Sequence, residues 1–211
     1  MPTPPAAPGL VWVAAPPDPA GVVLVLHGGQ VSSSHPVGRT DLAPARMIPI
    51  ARRIASAGQG RLAVVRVRNR VRGWNGSSAD PLADARHALG IVRDRWGGIP
   101  VGVVGHSMGG RVALRLAEDP GVALVVGLAP WIDRSDAPLG RPGLPVLLMH
   151  GSADVVTSPR ATRRYAESLL ARGVRVQLDL VALSLHAMTP WSGYWHERVA
   201  TFVAEGLRAP D

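Results

Sequence analysis

One serine, one aspartate and one histidine in this chain stand where they could work together, each in a loop that follows an apolar run. Ser107 lies in VGVVGHSMGGRVAL, residues 101–114. An apolar run ends at Val104, Gly105-His106-Ser107-Met108-Gly109 follows, and a helical pattern begins at once. G-x-S-x-G carries meaning in this strand–turn–helix setting, where a strained turn holds the serine hydroxyl exposed. Gly105 and Gly109 leave room for strand and helix to approach, and Gly110 extends the close packing. The helix start behind Ser107 directs N–H groups and positive dipole toward developing negative charge. The competing reading is a Gly-rich turn with an idle serine.

A serine hydroxyl is a poor nucleophile alone. It needs an imidazole to take its proton and a carboxylate to orient that imidazole. Asp154 lies in VLLMHGSADVVTSP, residues 146–159, and His186 in VALSLHAMTPW, residues 181–191. Both follow a strand pattern and precede a helical one, which places them on the same sheet edge as Ser107. Asp133 and Asp136 are rival acids after the preceding strand, whereas Asp179 falls inside a strand pattern. Among rival bases, His196 sits in the last helical stretch and His150 reads as a turn residue. His106 adjoins the nucleophile, so its side chain points elsewhere and it reads as structural.

The developing oxyanion needs two donors. The Met108 N–H is the natural first. The second is expected from the loop after His27, with Gly29 preferred and Gln30 as runner-up. Trp74, Trp131 and Met188, with Gln30, are expected to line a substrate pocket, and Trp191 lies nearby. Arg72 could meet a carboxylate-bearing substrate.

These loops need a scaffold. Short β-branched runs at 10–14, 21–26, 62–67, 101–104, 122–126, 146–149 and 174–180 read as strands. Runs such as VVLVL carry no polar residues, as expected of strands covered on both faces. Stretches rich in Ala, Leu and Arg at 46–57, 81–95, 108–118, 160–172 and 192–207 read as helices. Strand and helix in alternation predict an α/β fold with a mostly parallel sheet. Asp80-Pro81 and Ser158-Pro159 are helix-start signals, and Gly173 ends the second of these helices. Pro49 must lie in the first turn of its helix or break it. The first two apolar runs, joined by APPDPA, predict a hairpin feeding the sheet. Gln30–Pro44 and Trp131–Pro142 are irregular and could rim a site at the carboxyl ends of the strands.

The totals exclude several classes. At 211 residues the chain reads as a single domain, 1–211, with a loose proline-rich arm at 1–9. It contains no Cys, so disulfides, thiolate metal sites and cysteine nucleophiles are excluded. No signal-peptide pattern or uninterrupted membrane-length apolar run occurs, so a cytoplasmic protein is expected. The formal charge is +8, and every basic side chain is Arg. Those arginines are scattered without a basic tail, which reads as compositional bias rather than a nucleic-acid surface. The expected partner is a small ester, with no cofactor, metal, nucleic acid or membrane, and the oligomeric state stays open.

HGG at 27–29, GHSMGG at 105–110, HGSAD at 150–154 and the loop His186 together resemble the α/β-hydrolase superfamily, in an oxyanion loop, nucleophile elbow, acid and base. The resemblance runs from about Val22 to Leu207. It resembles in particular the compact esterase and dienelactone-hydrolase-like members, although dienelactone hydrolases proper use a cysteine nucleophile and the likeness to them is one of general build. It implies an α/β-hydrolase fold with helices on both faces of the sheet. Many relatives insert a helical cap after the strand ending here near Val126. Only the short stretch 129–143 is available, so a minimal cap is implied. The implied activity is serine-dependent hydrolysis of short- to medium-chain carboxylic esters. Thioesterase and acyltransferase chemistry, or a binding protein on the same scaffold, are the alternatives.

Overall fold

The computed structural model describes residue 3 and residues 6–208. Of the expected loose arm, residues 1, 2, 4 and 5 lie outside the described residues, and Gly9 already begins the first strand. The strands are β1 (Gly9–Ala14), β2 (Gly21–Leu26), β3 (Leu62–Arg68), β4 (Val101–His106), β5 (Val122–Leu128), β6 (Pro145–Gly151) and β7 (Arg175–Val181). They form one sheet in the order β1-β3-β2-β4-β5-β6-β7. Every neighbouring pair is parallel except β1 with β3.

The expected hairpin is corrected. β1 pairs with β3, not with β2. All six residues of β2 are buried, and its two edges are taken by β3 and β4. An all-apolar run of this kind belongs in the middle of a parallel sheet. β1 is half-buried along most of its length, which suits an edge strand. The prolines of APPDPA also suit no tight two-residue turn.

The helices are α1 (Leu42–Ala57), α2 (Asp80–Trp96), α3 (Met108–Arg115), α4 (Pro159–Ala171) and α5 (Ser192–Gly206). α1 and α5 cover one face, where Met47, Ile50 and Ile54 share a core with Trp195, Val199 and Val203. α2, α3 and α4 cover the other face through residues such as Leu89, Val112 and Leu169. Each fully buried side chain of this size contributes about 1.5–3 kcal/mol.

α1 starts earlier than its apolar pattern and runs straight through Pro49. Pro49 is exposed, so water can satisfy the carbonyl that its ring leaves unbonded. Asp80 opens α2 rather than capping it, and accepts from Asn75 Nδ2 at 2.8 Å. Ser158 caps α4 through a bond from the Ala161 N–H at 3.2 Å, with Pro159 in the first position. Between Leu128 and Pro145 there is no helix, so the cap over the carboxyl edge is minimal. No helix among the described residues is long and apolar enough to cross a membrane.

Candidate active site

Ser107 joins β4 to α3 at φ 56° and ψ −118°, a backbone conformation that L residues rarely adopt. Its surroundings keep it there. The Ser107 N–H donates to Leu128 O at 2.9 Å, and its carbonyl accepts from Trp131 N and Arg111 N. The glycines around it have no space for a side chain. A Cβ on Gly105 would lie 2.0 Å from Gly109 O, and one on Gly109 would lie 2.6 Å from Leu26 O.

The structure brings the three expected residues together. Ser107 Oγ lies 3.0 Å from His186 Nε2, and His186 Nδ1 lies 2.8 Å from Asp154 Oδ2. The Asp154 carboxylate is buried and saturated with donors. Oδ1 accepts from Val156 N at 2.8 Å and Thr157 N at 3.0 Å. Oδ2 also accepts from His150 Nε2 at 3.1 Å and faces Thr157 Oγ1 at 2.9 Å. Burial alone would raise the Asp154 pKa. The bonds from His150, His186, Thr157 and Val156 outweigh it and hold the carboxyl well below the usual range.

Two further histidines stiffen the site. His106 Nε2 donates to the backbone carbonyl of His186 at 2.8 Å, which fixes the base loop to the nucleophile strand. Burial, helped by the neighbouring His186, pushes the His106 pKa down to about 3. His27 Nδ1 donates to Gly28 O at 2.6 Å, while its Nε2 accepts from Asn69 N at 3.1 Å. That pairing sets the loop opposite Ser107.

The rival residues are committed elsewhere. Asp136 pairs with Arg111 at 2.8 Å and with Arg115 at 2.5 Å. Asp133 accepts from Ser135, and Asp179 pairs with Arg198 and Tyr194. His196 makes no side-chain hydrogen bond among the described residues. The Arg72 guanidinium pairs with Asp41.

Two expectations fail on geometry. The Gln30 N–H is bonded to Arg72 O at 2.8 Å, so it is not free to bind an oxyanion. Met188 is 1% exposed and packs in the core beneath α1 and α5, so it lines no pocket. It has φ 66°, in the turn after His186, and that turn folds its side chain inward. Trp74 and Trp131 do meet, edge to face at 6.1 Å, beside a cleft of about 400 Å³ shared with Val31 and Arg111. The Arg111 guanidinium stacks on both rings, at 4.2 and 4.4 Å. Arg111 lies one helical turn from Ser107.

The sequence marks His150 only as a rival base that reads as a turn residue, and it does not single out Thr157 or Arg111. His150 and Thr157 flank Asp154 at four residues before and three after, and this nearness to the acid was their one signal. Nothing in the sequence distinguished Arg111 from the other arginines.

Residues 22–209 match the Alpha/beta hydrolase family. The chain belongs to that family. No match is found among curated protein sequences. Among solved structures, this hydrolase is similar to a lidless α/β serine hydrolase from Xanthomonas campestris, at 18% identity and TM-score 0.68 over 100% of both chains. It is also similar to a putative α/β hydrolase from Agrobacterium tumefaciens, at 16% identity and TM-score 0.72 over 99% and 98% of the two chains. A third likeness is esterase 2 of Thermogutta terrifontis, phosphonylated by cyclosarin. It is 20% identical with TM-score 0.71, over 96% of this hydrolase and 90% of that chain. The family and the triad geometry together make this a serine-hydrolase-type enzyme.

Proposed function

We propose that this hydrolase cleaves carboxylic esters with short or medium acyl chains through an acyl-enzyme on Ser107. The observation that carries the reading is the unbroken chain from Ser107 Oγ to His186 at 3.0 Å and on to Asp154 at 2.8 Å. His186 Nε2 takes the hydroxyl proton as Ser107 Oγ attacks the acyl carbonyl carbon. The Nδ1–H bond to Asp154 holds the ring in the tautomer that leaves Nε2 free, and stabilises the imidazolium. The tetrahedral adduct collapses as His186 returns the proton to the leaving alkoxide. Water then attacks the acyl-enzyme carbonyl, giving up a proton to His186, and as the second tetrahedral adduct collapses His186 returns that proton to Ser107 Oγ and the carboxylic acid leaves.

The Met108 and Gly29 N–H groups are the oxyanion donors in this reading. Support for Gly29 comes from His27. In a trans peptide the carbonyl and the following N–H point in opposite directions. His27 holds the Gly28 carbonyl, and so turns the Gly29 N–H away from itself. Met108 opens α3 at the positive end of the helix dipole.

Support for chain length comes from the missing cap. With no helix between Leu128 and Pro145, a long alkyl tail finds little cover. The Trp74–Trp131 cleft offers a modest apolar wall, worth about 0.8 kcal/mol per buried methylene.

The deciding experiment is a rate profile over p-nitrophenyl esters from acetyl to palmitoyl, with acyl-CoA thioesters alongside. A maximum between acetyl and octanoyl supports the ester reading. A thioester preference that weakens with salt would replace it with a thioesterase steered by the +8 charge. The Thermogutta esterase carries a phosphonyl group, so a fluorophosphonate probe is the matching label. An unlabelled Ser107 in folded protein would favour a binding protein on this scaffold.

A further inference from the structure

A second cleft, of about 420 Å³, opens between β1, β3 and α1, and none of Ser107, Asp154 and His186 lines it. Its origin lies in the alternation of β3. Val64 points into the core beneath α1. Side chains two and four residues further along a strand share that face, and here they are Arg66 and Arg68. Where the pattern calls for two more apolar residues, the chain places guanidinium groups. Arg39 joins them from the loop before α1.

None of these three arginines forms an ion pair among the described residues, whereas Arg70, Arg72, Arg111 and Arg115 do. Arg66 Nε is buried without a hydrogen-bond partner among the described residues, and Nη1 reaches Pro44 O only at 3.4 Å. Burial and the nearby Arg52 both press the Arg66 pKa down, so its charge lacks local compensation. Gly9 contributes by having no side chain. A Cβ there would lie 3.1 Å from the Arg68 guanidinium, which occupies that space. Apart from His27, the remaining wall is apolar, with Leu10, Val11 and Met47 among its residues. The volume falls within the roughly 300–1,000 Å³ of small-molecule sites.

We propose that this cleft binds a small amphiphilic anion, its carboxylate or phosphate head on Arg39, Arg66 and Arg68 and its short alkyl tail along Leu10, Val11 and Met47. Guanidinium forks pair with the oxygens of either head, and charge-assisted bonds of this kind are the strong ones. None of Ser107, Asp154 and His186 lines the cleft, although His27 of the oxyanion loop does, and the proposal stands whether or not the ester reading does.

Calorimetry on Ser107→Ala protein tests it, with octyl phosphate, octanoate and inorganic phosphate as probes. The Ser107→Ala background prevents turnover. Saturation with a fluorophosphonate-labelled sample repeats the titration with the catalytic centre filled. The expected result is one site for octyl phosphate or octanoate in both samples, tighter than for inorganic phosphate and weakened by salt. Whichever alkyl anion binds more tightly identifies the head group. The R66Q/R68Q double variant should weaken binding by about tenfold or more. If that variant does not fold, the exposed Arg39→Gln change should still weaken it severalfold. Absence of binding at millimolar probe overturns the proposal. So does binding unchanged by Arg39→Gln and R66Q/R68Q, or lost when the catalytic centre is filled.

Discussion

His150 Nε2 and His186 Nδ1 both donate to Asp154 Oδ2, at 3.1 and 2.8 Å. One carboxylate oxygen therefore holds two imidazoles. His186 is partly open to solvent, while His150 is fully buried with its Nδ1 2.7 Å from Thr162 Oγ1 on α4. The acid of the triad is thus tied through His150 to a helix of the scaffold. Removing one partner of a buried hydrogen-bonded group costs about 1–3 kcal/mol. His150→Leu is expected to lower kcat by roughly tenfold to a hundredfold with little change in KM, since about 1.4 kcal/mol is tenfold in rate. His150→Gln keeps a donor near the Nε2 position and should recover much of that loss. A His150→Leu enzyme that melts lower but turns over at the parent rate would reduce this residue to packing.

The Ser107–His186 pair should behave as a unit. Ser107→Ala and His186→Ala are each expected to lower kcat by roughly four to six orders of magnitude. The double variant should be no slower than the slower single one, because neither residue does its work without the other. Additive losses in single-turnover assays would show two independent contributions and defeat the mechanism.

The oxyanion loop can be tested through its tight packing. A Cβ on Gly29 would lie 2.3 Å from Met108 Cε and 2.4 Å from Arg72 O. Gly29→Ala must therefore push the loop off Met108, the residue that supplies the other donor. Loss of one such donor costs about a hundred- to a thousandfold in kcat. Gly90→Ala is the control. It sits within α2, where a Cβ meets nothing within 4 Å, so it should stabilise the protein by up to about 1 kcal/mol and leave kcat alone. Equal kcat values for Gly29→Ala and the parent would remove Gly29 from the oxyanion hole.

Much of this arrangement is readable from residue types because the chemistry forces their spacing. Gly105 and Gly109 stand two residues either side of Ser107, since backbone atoms lie where their side chains would be. The middle strands are legible because burial on both faces admits only apolar residues, as in β2. The pairing of β1 was not legible, because nearness in sequence argues for β2 and only burial argues for β3. His150 was hidden for a similar reason. A histidine at a strand end looks like a turn residue until Asp154 curls back under it. Met188 and Gln30 failed because loop placement says nothing of side-chain direction or of which N–H is already bonded.

The site should also give the protein an acid-sensitive stability. His186 must carry a positive charge in the transition state, and the His106 ring centre lies only 4.8 Å from its own. A charged His106 would oppose that step. Burial prevents it by pushing the His106 pKa from 6.5 down to about 3, with Arg46 acting the same way and Asp154 against it. His27, also buried, is pushed down as well. Between the ordinary and the lowered pKa, the unfolded chain binds a proton that the folded one does not. Stability from these groups is therefore full above the ordinary value and is lost as pH falls toward the folded one, by up to about 1.4 kcal/mol per pH unit for each histidine. His106→Gln keeps an amide N–H that can reach His186 O and removes the titration. Urea unfolding across this range should show a shallower decline of stability with acidification in that variant, by up to about 1.4 kcal/mol per unit. Parallel declines in variant and parent would mean that His106 takes up its proton without unfolding the site, and that burial does not keep it neutral beside His186.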